Sequence, residues 1–165
     1  MANTSYLRRE VERYVRQQLE LEFGQPFLSQ ILPLTAGGRH EFDAASADRT
    51  VIASVKSSSG LTAGGNIPSG KINDCLAELY YLSLAQAPIR RLVLTTLTFF
   101  EMFQKRTVGA VVPGVQIVCI ALPAGIQAKV DEVVREASRE VTPAAAAAAV
   151  ATEVEAQLDS NETKS

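Results

Sequence analysis

The sequence predicts an α/β fold, with a mixed central β-sheet covered by helices on both faces. Segments whose apolar residues recur at helical spacing alternate along the chain with short β-rich runs. Parallel strands need long crossover connections, whereas a hairpin joins antiparallel neighbours, and the chain contains both kinds of connection. Its 165 residues suit a single domain.

The first third of the chain predicts a helix and a β-hairpin. Apolar side chains recur at helical spacing from Leu7 to Leu19, and Gly24 marks the end of this helix. A short apolar stretch, Phe27 to Leu34, follows without a clear period. The segments Glu41–Ala44 and Thr50–Lys56 then alternate between polar and apolar residues, which predicts two antiparallel strands.

The rest of the chain predicts helices and strands in alternation. Residues 57–70 are rich in serine and glycine, which favours a mobile loop. The elements after it are a helix over 72–84, a strand over 91–97, a short helix over 99–105 whose capping box is Thr98 and Glu101, a strand over 115–122 and a helix from Ile126. The domain is expected to cover residues 1–141. The alanine-rich acidic tail, residues 142–165, has no apolar stripe, so we expect a frayed helix or disorder.

The net charge of −2 argues at first against a partner as acidic as nucleic acid. Residues 126–165 carry 4 basic and 8 acidic side chains, so the preceding residues have a net charge of +2. The core of the chain therefore permits a phosphate substrate.

The cysteine and histidine content argues against a zinc site. Cys75 and Cys119 lie far apart in apolar stretches, and His40 is the single histidine. The sequence shows no signal-peptide pattern and no run of about 18 apolar residues. We therefore expect a cytoplasmic protein with reduced thiols and no membrane contact.

The predicted hairpin carries a polar face. Residues two apart in a strand share a face. Glu41 and Asp43 therefore lie on one face of the first strand, and Ser54 and Lys56 lie on one face of the second. If the two faces coincide, these side chains form one cluster, and Phe42 lies on the opposite face. Such a cluster holds a hard divalent cation beside a lysine, a chemistry that suits phosphodiester hydrolysis. The alternative is a set of cross-strand ion pairs. If Asp43 and Lys56 lie on different faces, the site and the functions that rest on it are not expected.

The order of elements from about residue 3 to residue 122 resembles the core of the PD-(D/E)XK nuclease superfamily, a restriction-endonuclease-like core. Asp43 matches the aspartate of its motif and Lys56 the lysine. Phe42 stands at the proline position, and Ser54 stands where the second acid belongs. A subset of restriction endonucleases reads S-x-K with the acid moved to the following helix, and residues 54–56 are similar to that variant.

The S-x-K resemblance raises the question of which residue replaces the missing acid. Asp74 and Glu78 lie four apart on the following helix, and Glu78 is the first choice. Glu41, which shares the strand face of Asp43, is the competing choice, and Glu10 on the first helix comes third. The resemblance implies Mg²⁺ or Mn²⁺ held by Asp43 with Glu78 or Glu41.

The function that the resemblance implies is a metal-dependent nuclease, with DNA the favoured substrate. Lys56 would orient or deprotonate the attacking water, Ser54 would donate a hydrogen bond to a ligand, and Arg39 and Lys71 would meet the phosphate backbone. A homodimer is the assembly we expect from the size of the chain. The alternative is a catalytically inactive member of the same fold that binds nucleic acid or a protein.

Residues 65–71 also read G-x-x-x-x-G-K, the phosphate-binding pattern of P-loop proteins. Ile72 follows, whereas that loop needs a serine or threonine hydroxyl for Mg²⁺. The upstream strand also ends too early, so P-loop nucleotide binding is a minor alternative.

Overall fold

The computed structural model describes residues 4–57, 68–110 and 112–135. The elements are α1 (Thr4–Phe23), β1 (Phe27–Pro33), β2 (Arg39–Ser46), β3 (Val51–Lys56), α2 (Ser69–Leu84), β4 (Ile89–Leu94), α3 (Leu97–Arg106), β5 (Val115–Cys119) and α4 (residues 124–135). The α/β class is confirmed. The predicted boundary at residue 141, the tail and most of the predicted mobile loop lie outside the described residues.

The five strands form one sheet in the order β1-β2-β3-β4-β5. The first three strands are antiparallel neighbours, whereas β3, β4 and β5 run parallel. Each parallel step is made through a helix, α2 or α3, as the crossover argument requires. The sheet is therefore mixed, and β1 is a strand that the sequence reading did not assign.

Two apolar cores cover the two faces of the sheet. The α1 face packs α1 and α4 against the sheet through the buried side chains of Val11, Val15, Leu19, Ala53, Val93 and Val130. The α2 face packs α2 and α3 through Cys75, Leu79, Leu82, Phe99 and Phe103, with Phe42 and Ile52 from the sheet. The predicted cover of helices on both faces is confirmed.

The register between β1 and β2 contains an irregularity. Leu28 pairs with Ala45 and Gln30 pairs with Phe42, so two residues of β2 oppose one residue of β1. An extra residue shifts the two-residue period and turns the preceding side chains to the other face. Phe42 accordingly packs on the α2 face beside Ile52, whereas the sequence analysis put it on the face opposite Ser54 and Lys56.

None of the helices in residues 4–57, 68–110 and 112–135 is long and apolar enough to cross a membrane. Both cysteines are free thiols, as expected. Cys75 is buried in α2, and burial raises its pKa to about 12.

Candidate functional site

An ion pair joins the end of β3 to α2. Lys56 Nζ donates to Glu78 Oε1 at 2.8 Å, although the two residues are 22 positions apart. Glu78 lies beside the buried residue Leu79 and is itself half-buried, whereas Asp74 is exposed. Of the two helix acids considered from the sequence, Glu78 is the one that reaches Lys56.

His40 binds the second oxygen of the same carboxylate. Its Nε2 lies 3.2 Å from Glu78 Oε2. The imidazole stacks on Tyr81 with the ring centroids 3.9 Å apart and meets Phe42 edge-on at 4.9 Å. Both oxygens of Glu78 are thus held, one by a lysine and one by a histidine that two aromatic rings fix in place.

The Ser54 hydroxyl lies in the same polar cluster. It is buried and has no partner within hydrogen-bonding distance, but it is close enough to help stabilise the charge on Glu78. Burial acts to raise the pKa of Glu78, but Lys56, Ser54 and His40 together outweigh it and hold that pKa below its usual value. Glu78 is therefore an ionised acceptor at neutral pH.

Asp43 lies at the seam where β2 separates from β3. The paired residues of these strands are Ala44 with Ala53 and Ala45 with Ile52. Immediately before them, Asp43 Oδ2 accepts the Val55 backbone N–H at 2.7 Å. The carboxylate therefore supplies the hydrogen-bond acceptor that a backbone carbonyl supplies in a regular ladder.

The surroundings of Asp43 belong to α1. Arg8 Nη2 lies 3.4 Å from Asp43 Oδ1, and Arg16 Nη1 donates to the Asp43 backbone carbonyl at 2.8 Å. Burial raises the pKa of Asp43 above its usual value; Glu12 adds to this effect, while the Val55 N–H, Lys56 and Arg8 oppose it. An ionised Asp43 is therefore costly to the fold.

The expectation that Asp43 and Lys56 share a sheet face is wrong. The irregularity in β2 turns Asp43 toward α1, whereas Lys56 and Ser54 point toward α2. The two charges remain neighbours, since Lys56 acts to lower the pKa of Asp43. The common face that the sequence argument required is therefore absent, and the four side chains do not form the single cluster predicted from the sequence.

Glu41 and Glu10, the other acids considered, have partners of their own. Glu41 is exposed and accepts a hydrogen bond from Ser29 Oγ at 2.9 Å, and it lies near Asp43 in a cavity beside α1. Glu10 Oε1 lies 3.0 Å from Lys129 Nζ on α4. Glu41 thus stays close to Asp43, and Glu10 is bound elsewhere.

The predicted phosphate contacts lie at the starts of two elements. Arg39 is exposed at the first residue of β2, and Lys71 is half-buried in the first turn of α2. Residues 65–67 of the G-x-x-x-x-G-K pattern lie outside the described residues. The described residues include no group of three or more histidine, cysteine, aspartate or glutamate side chains placed to hold a metal ion.

The sequence reading gave no site role to Glu12, Arg8, Arg16 or His40. Glu12 lies one helical turn from each of the two arginines and contacts both, at 2.6 Å and 3.9 Å. That i, i+4 spacing is visible in the sequence and could have indicated the group. The site role of His40 depends on the register of β2, which no local pattern reveals.

The fold and this cluster define an α/β protein with a polar site beside the end of β3. Comparison of the chain with known proteins found no matching family, no similar curated protein and no similar solved structure.

Proposed function

We propose that this chain is a metal-dependent nuclease with a PD-(D/E)XK-like core of the S-x-K kind. The observation that carries the proposal is the contact of 2.8 Å between Lys56 and Glu78. The S-x-K pattern requires an acid from the following helix, and the chain places one beside the lysine across 22 positions. The order of helices and strands, with its mixed sheet, also supports the proposal.

The residues at the seam have the chemistry to hold a divalent cation such as Mg²⁺ or Mn²⁺, but Asp43 is directed to the α1 side of the sheet and Glu78 to the α2 side. Mg²⁺ keeps several of its waters and binds through one or two carboxylates together with substrate phosphates. Asp43 and Glu78 are the two carboxylates that would hold one ion if they approached each other on binding, and a cation would offset the cost of burying the charge on Asp43. When bound, the ion would polarise the scissile phosphate and lower the pKa of the attacking water.

The protein groups have separate tasks in this proposal. Lys56 would donate to a phosphate oxygen or orient the water, because its ammonium contacts Glu78 at 2.8 Å and its charge also acts to lower the pKa of Asp43. Glu78 is ionised, and as a metal ligand it would exchange its contact with Lys56 or with His40 for the cation. The Ser54 hydroxyl has no hydrogen-bond partner, so it is free to donate to Glu78 or to a bound water.

A second candidate is a catalytically inactive protein of the same fold that binds nucleic acid or a protein partner. The orientation of Asp43 favours it, because this carboxylate is turned to α1 and is approached by Arg8. The side chain of Glu78, by contrast, is held on the α2 side by Lys56 and His40. In this candidate the three groups contribute only to folding.

The experiment compares the full chain with Lys56→Met and with the control Lys105→Met, which alters an exposed lysine of α3. End-labelled single-stranded DNA, duplex DNA and RNA are incubated with Mg²⁺, Mn²⁺ or EDTA. We expect metal-dependent cleavage that Lys56→Met reduces by about 10²-fold or more, as for loss of a proton-transfer group, and that the control retains. Cleavage by Lys56→Met at the full rate would refute the assignment. Binding without cleavage by the unaltered chain would favour the second candidate.

A further inference from the structure

Four arginines lie on α1 near Asp43, three of them exposed and Arg16 half-buried. This arginine face consists of Arg8, Arg9, Arg13 and Arg16. Arg9 and Arg13 are exposed and lie one helical turn apart. Among the described residues, neither has an ion-pair partner. Their charges are therefore available to a ligand.

The other two arginines connect the face to the seam. Glu12 contacts both Arg8 and Arg16, and these two arginines reach the carboxylate and the backbone carbonyl of Asp43. The side chain of Arg8 is 73% exposed, whereas that of Asp43 is 12% exposed. Arg8 thus lies toward solvent, and the Asp43 carboxylate lies beneath it.

A cavity of about 290 Å³ lies where the arginine face meets β2. Ser5, Arg8, Arg9, Glu12, Glu41 and Asp43 line it. A ligand that enters this cavity would meet the exposed guanidinium groups of Arg8 and Arg9 before the buried Asp43. Glu41 is also exposed, and Glu12 is paired with Arg8.

We propose that the arginine face binds the sugar-phosphate backbone of the nucleic-acid strand and places one phosphate beside Asp43. Guanidinium groups match phosphate oxygens in geometry and remain charged at all relevant pH values. Arg9 and Arg13 are separated by about 6 Å along the helix axis, which is close to the separation of neighbouring phosphates on one strand. A repeating polyanion therefore fits these two residues better than an isolated carboxylate does.

This inference rests on the proposed function for the identity of the substrate, but strand binding does not require cleavage. The test therefore measures binding alone, in EDTA, with a fluorescently labelled single-stranded DNA. The variants are Arg9→Gln/Arg13→Gln, the charge-retaining Arg9→Lys/Arg13→Lys, and the control Lys105→Gln/Arg106→Gln. The control removes the same charge from exposed positions of α3.

The double glutamine variant should bind at least tenfold more weakly at about 50 mM salt. Its plot of log affinity against log salt should be shallower by about 1.4, since each lost single-strand phosphate contact contributes about 0.7. The lysine variant should keep most of the slope, and the control should keep both affinity and slope. Circular dichroism spectra will establish that each variant is folded.

An unchanged slope in the glutamine variant, or an equal loss in the control, would overturn the inference. Failure of the unaltered chain to bind any strand would overturn it too. If the chain binds a strand but the slope is unchanged in the glutamine variant, or the control loses as much, metal-dependent cleavage that is lost in Lys56→Met would still support the proposed function, because it depends on the seam and not on the arginine face. The two proposals can thus fail separately.

Discussion

Replacement of Asp43 separates the two contributions of this side chain to stability. Its Oδ2 accepts the buried Val55 N–H at 2.7 Å, whereas burial of its charge raises its pKa. Asp43→Asn keeps an acceptor and removes the charge, and Asp43→Ala removes both. The alanine variant leaves the Val55 N–H without a partner, which costs about 1–3 kcal/mol relative to asparagine.

The sign of the pH effect follows from the raised pKa. The folded state binds the Asp43 proton more tightly than the unfolded chain does, so this residue lowers stability as pH rises from the ordinary value of 3.8 through the folded value. At neutral pH the carboxylate is ionised in both the folded and the unfolded state, so the full free-energy cost of burying its charge is present. Asp43→Asn should therefore be more stable than the unaltered chain at neutral pH, and this advantage should disappear below the ordinary pKa.

Thermal melting followed by circular dichroism measures both effects. For a chain of this size 1 kcal/mol corresponds to about 2–4 °C, so the alanine variant should melt about 2–12 °C below the asparagine variant. The asparagine variant should melt above the unaltered chain near pH 7 and level with it near the acid limit. The reasoning is refuted if the asparagine and alanine variants melt at the same temperature. It is also refuted if the asparagine variant melts below the unaltered chain at neutral pH.

Two further predictions concern the ion pair and the hairpin turn. Lys56→Met should lower the free energy of unfolding by about 1 kcal/mol at neutral pH, because it leaves Glu78 half-buried without its ammonium partner. Because the pKa of Glu78 is lowered in the folded state, its ionised form stabilises the fold at pH values above the ordinary pKa of 4.5, and this stability is lost as the pH falls through the folded pKa. Urea titrations should therefore show that the difference in unfolding free energy between Lys56→Met and the unaltered chain shrinks in acid. Arg49 has a φ of 59° in the turn between β2 and β3, so Arg49→Gly should gain about 0.5–1 kcal/mol in the same titration. Arg49→Ala keeps the Cβ strain and should gain nothing; an equal gain in both variants would contradict the strain argument.

The helices could be predicted from the sequence because each carries a complete apolar stripe. Leu7 and Leu19 delimit the buried face of α1, and the residues between them at helical spacing are buried as expected. The start of α3 was predicted less well. The capping box expected at Thr98 and Glu101 is absent, because α3 begins at Leu97 and its N-cap is Thr96, whose side chain makes no capping hydrogen bond.

The strand β1 escaped prediction because its pattern of burial is irregular. Phe27 and Leu32 are buried, but Leu28 and Ile31 are 66% and 57% exposed at the edge of the sheet. An edge strand with one free side does not need strict alternation. The periodicity on which strand prediction depends is therefore weak in this segment.

The site was predicted in part, and the part that failed depends on tertiary register. The acid on α2 could be named because a helix face and a motif both pointed to Glu78, and folding brings it to Lys56. The sheet face on which Asp43 lies could not be predicted, since one extra residue in β2 reverses which side chains of the strand point to each face. His40 reaches Glu78 for the same reason.

The cost of Asp43 bears on whether the seam is a functional site. Asparagine can accept the Val55 N–H equally well and carries no charge, so the hydrogen bond alone gives no reason for a carboxylate at this position. The neighbouring guanidinium of Arg8 is largely exposed and offsets little of the burial cost. Strained or destabilising groups persist where function requires them, and strand irregularities commonly re-aim side chains beside active sites. The Asp43 carboxylate is unfavourable for folding, and the charge of Lys56 acts on its pKa; the proposal of a bound cation would thus account for a negative charge that the stability of the hairpin does not require.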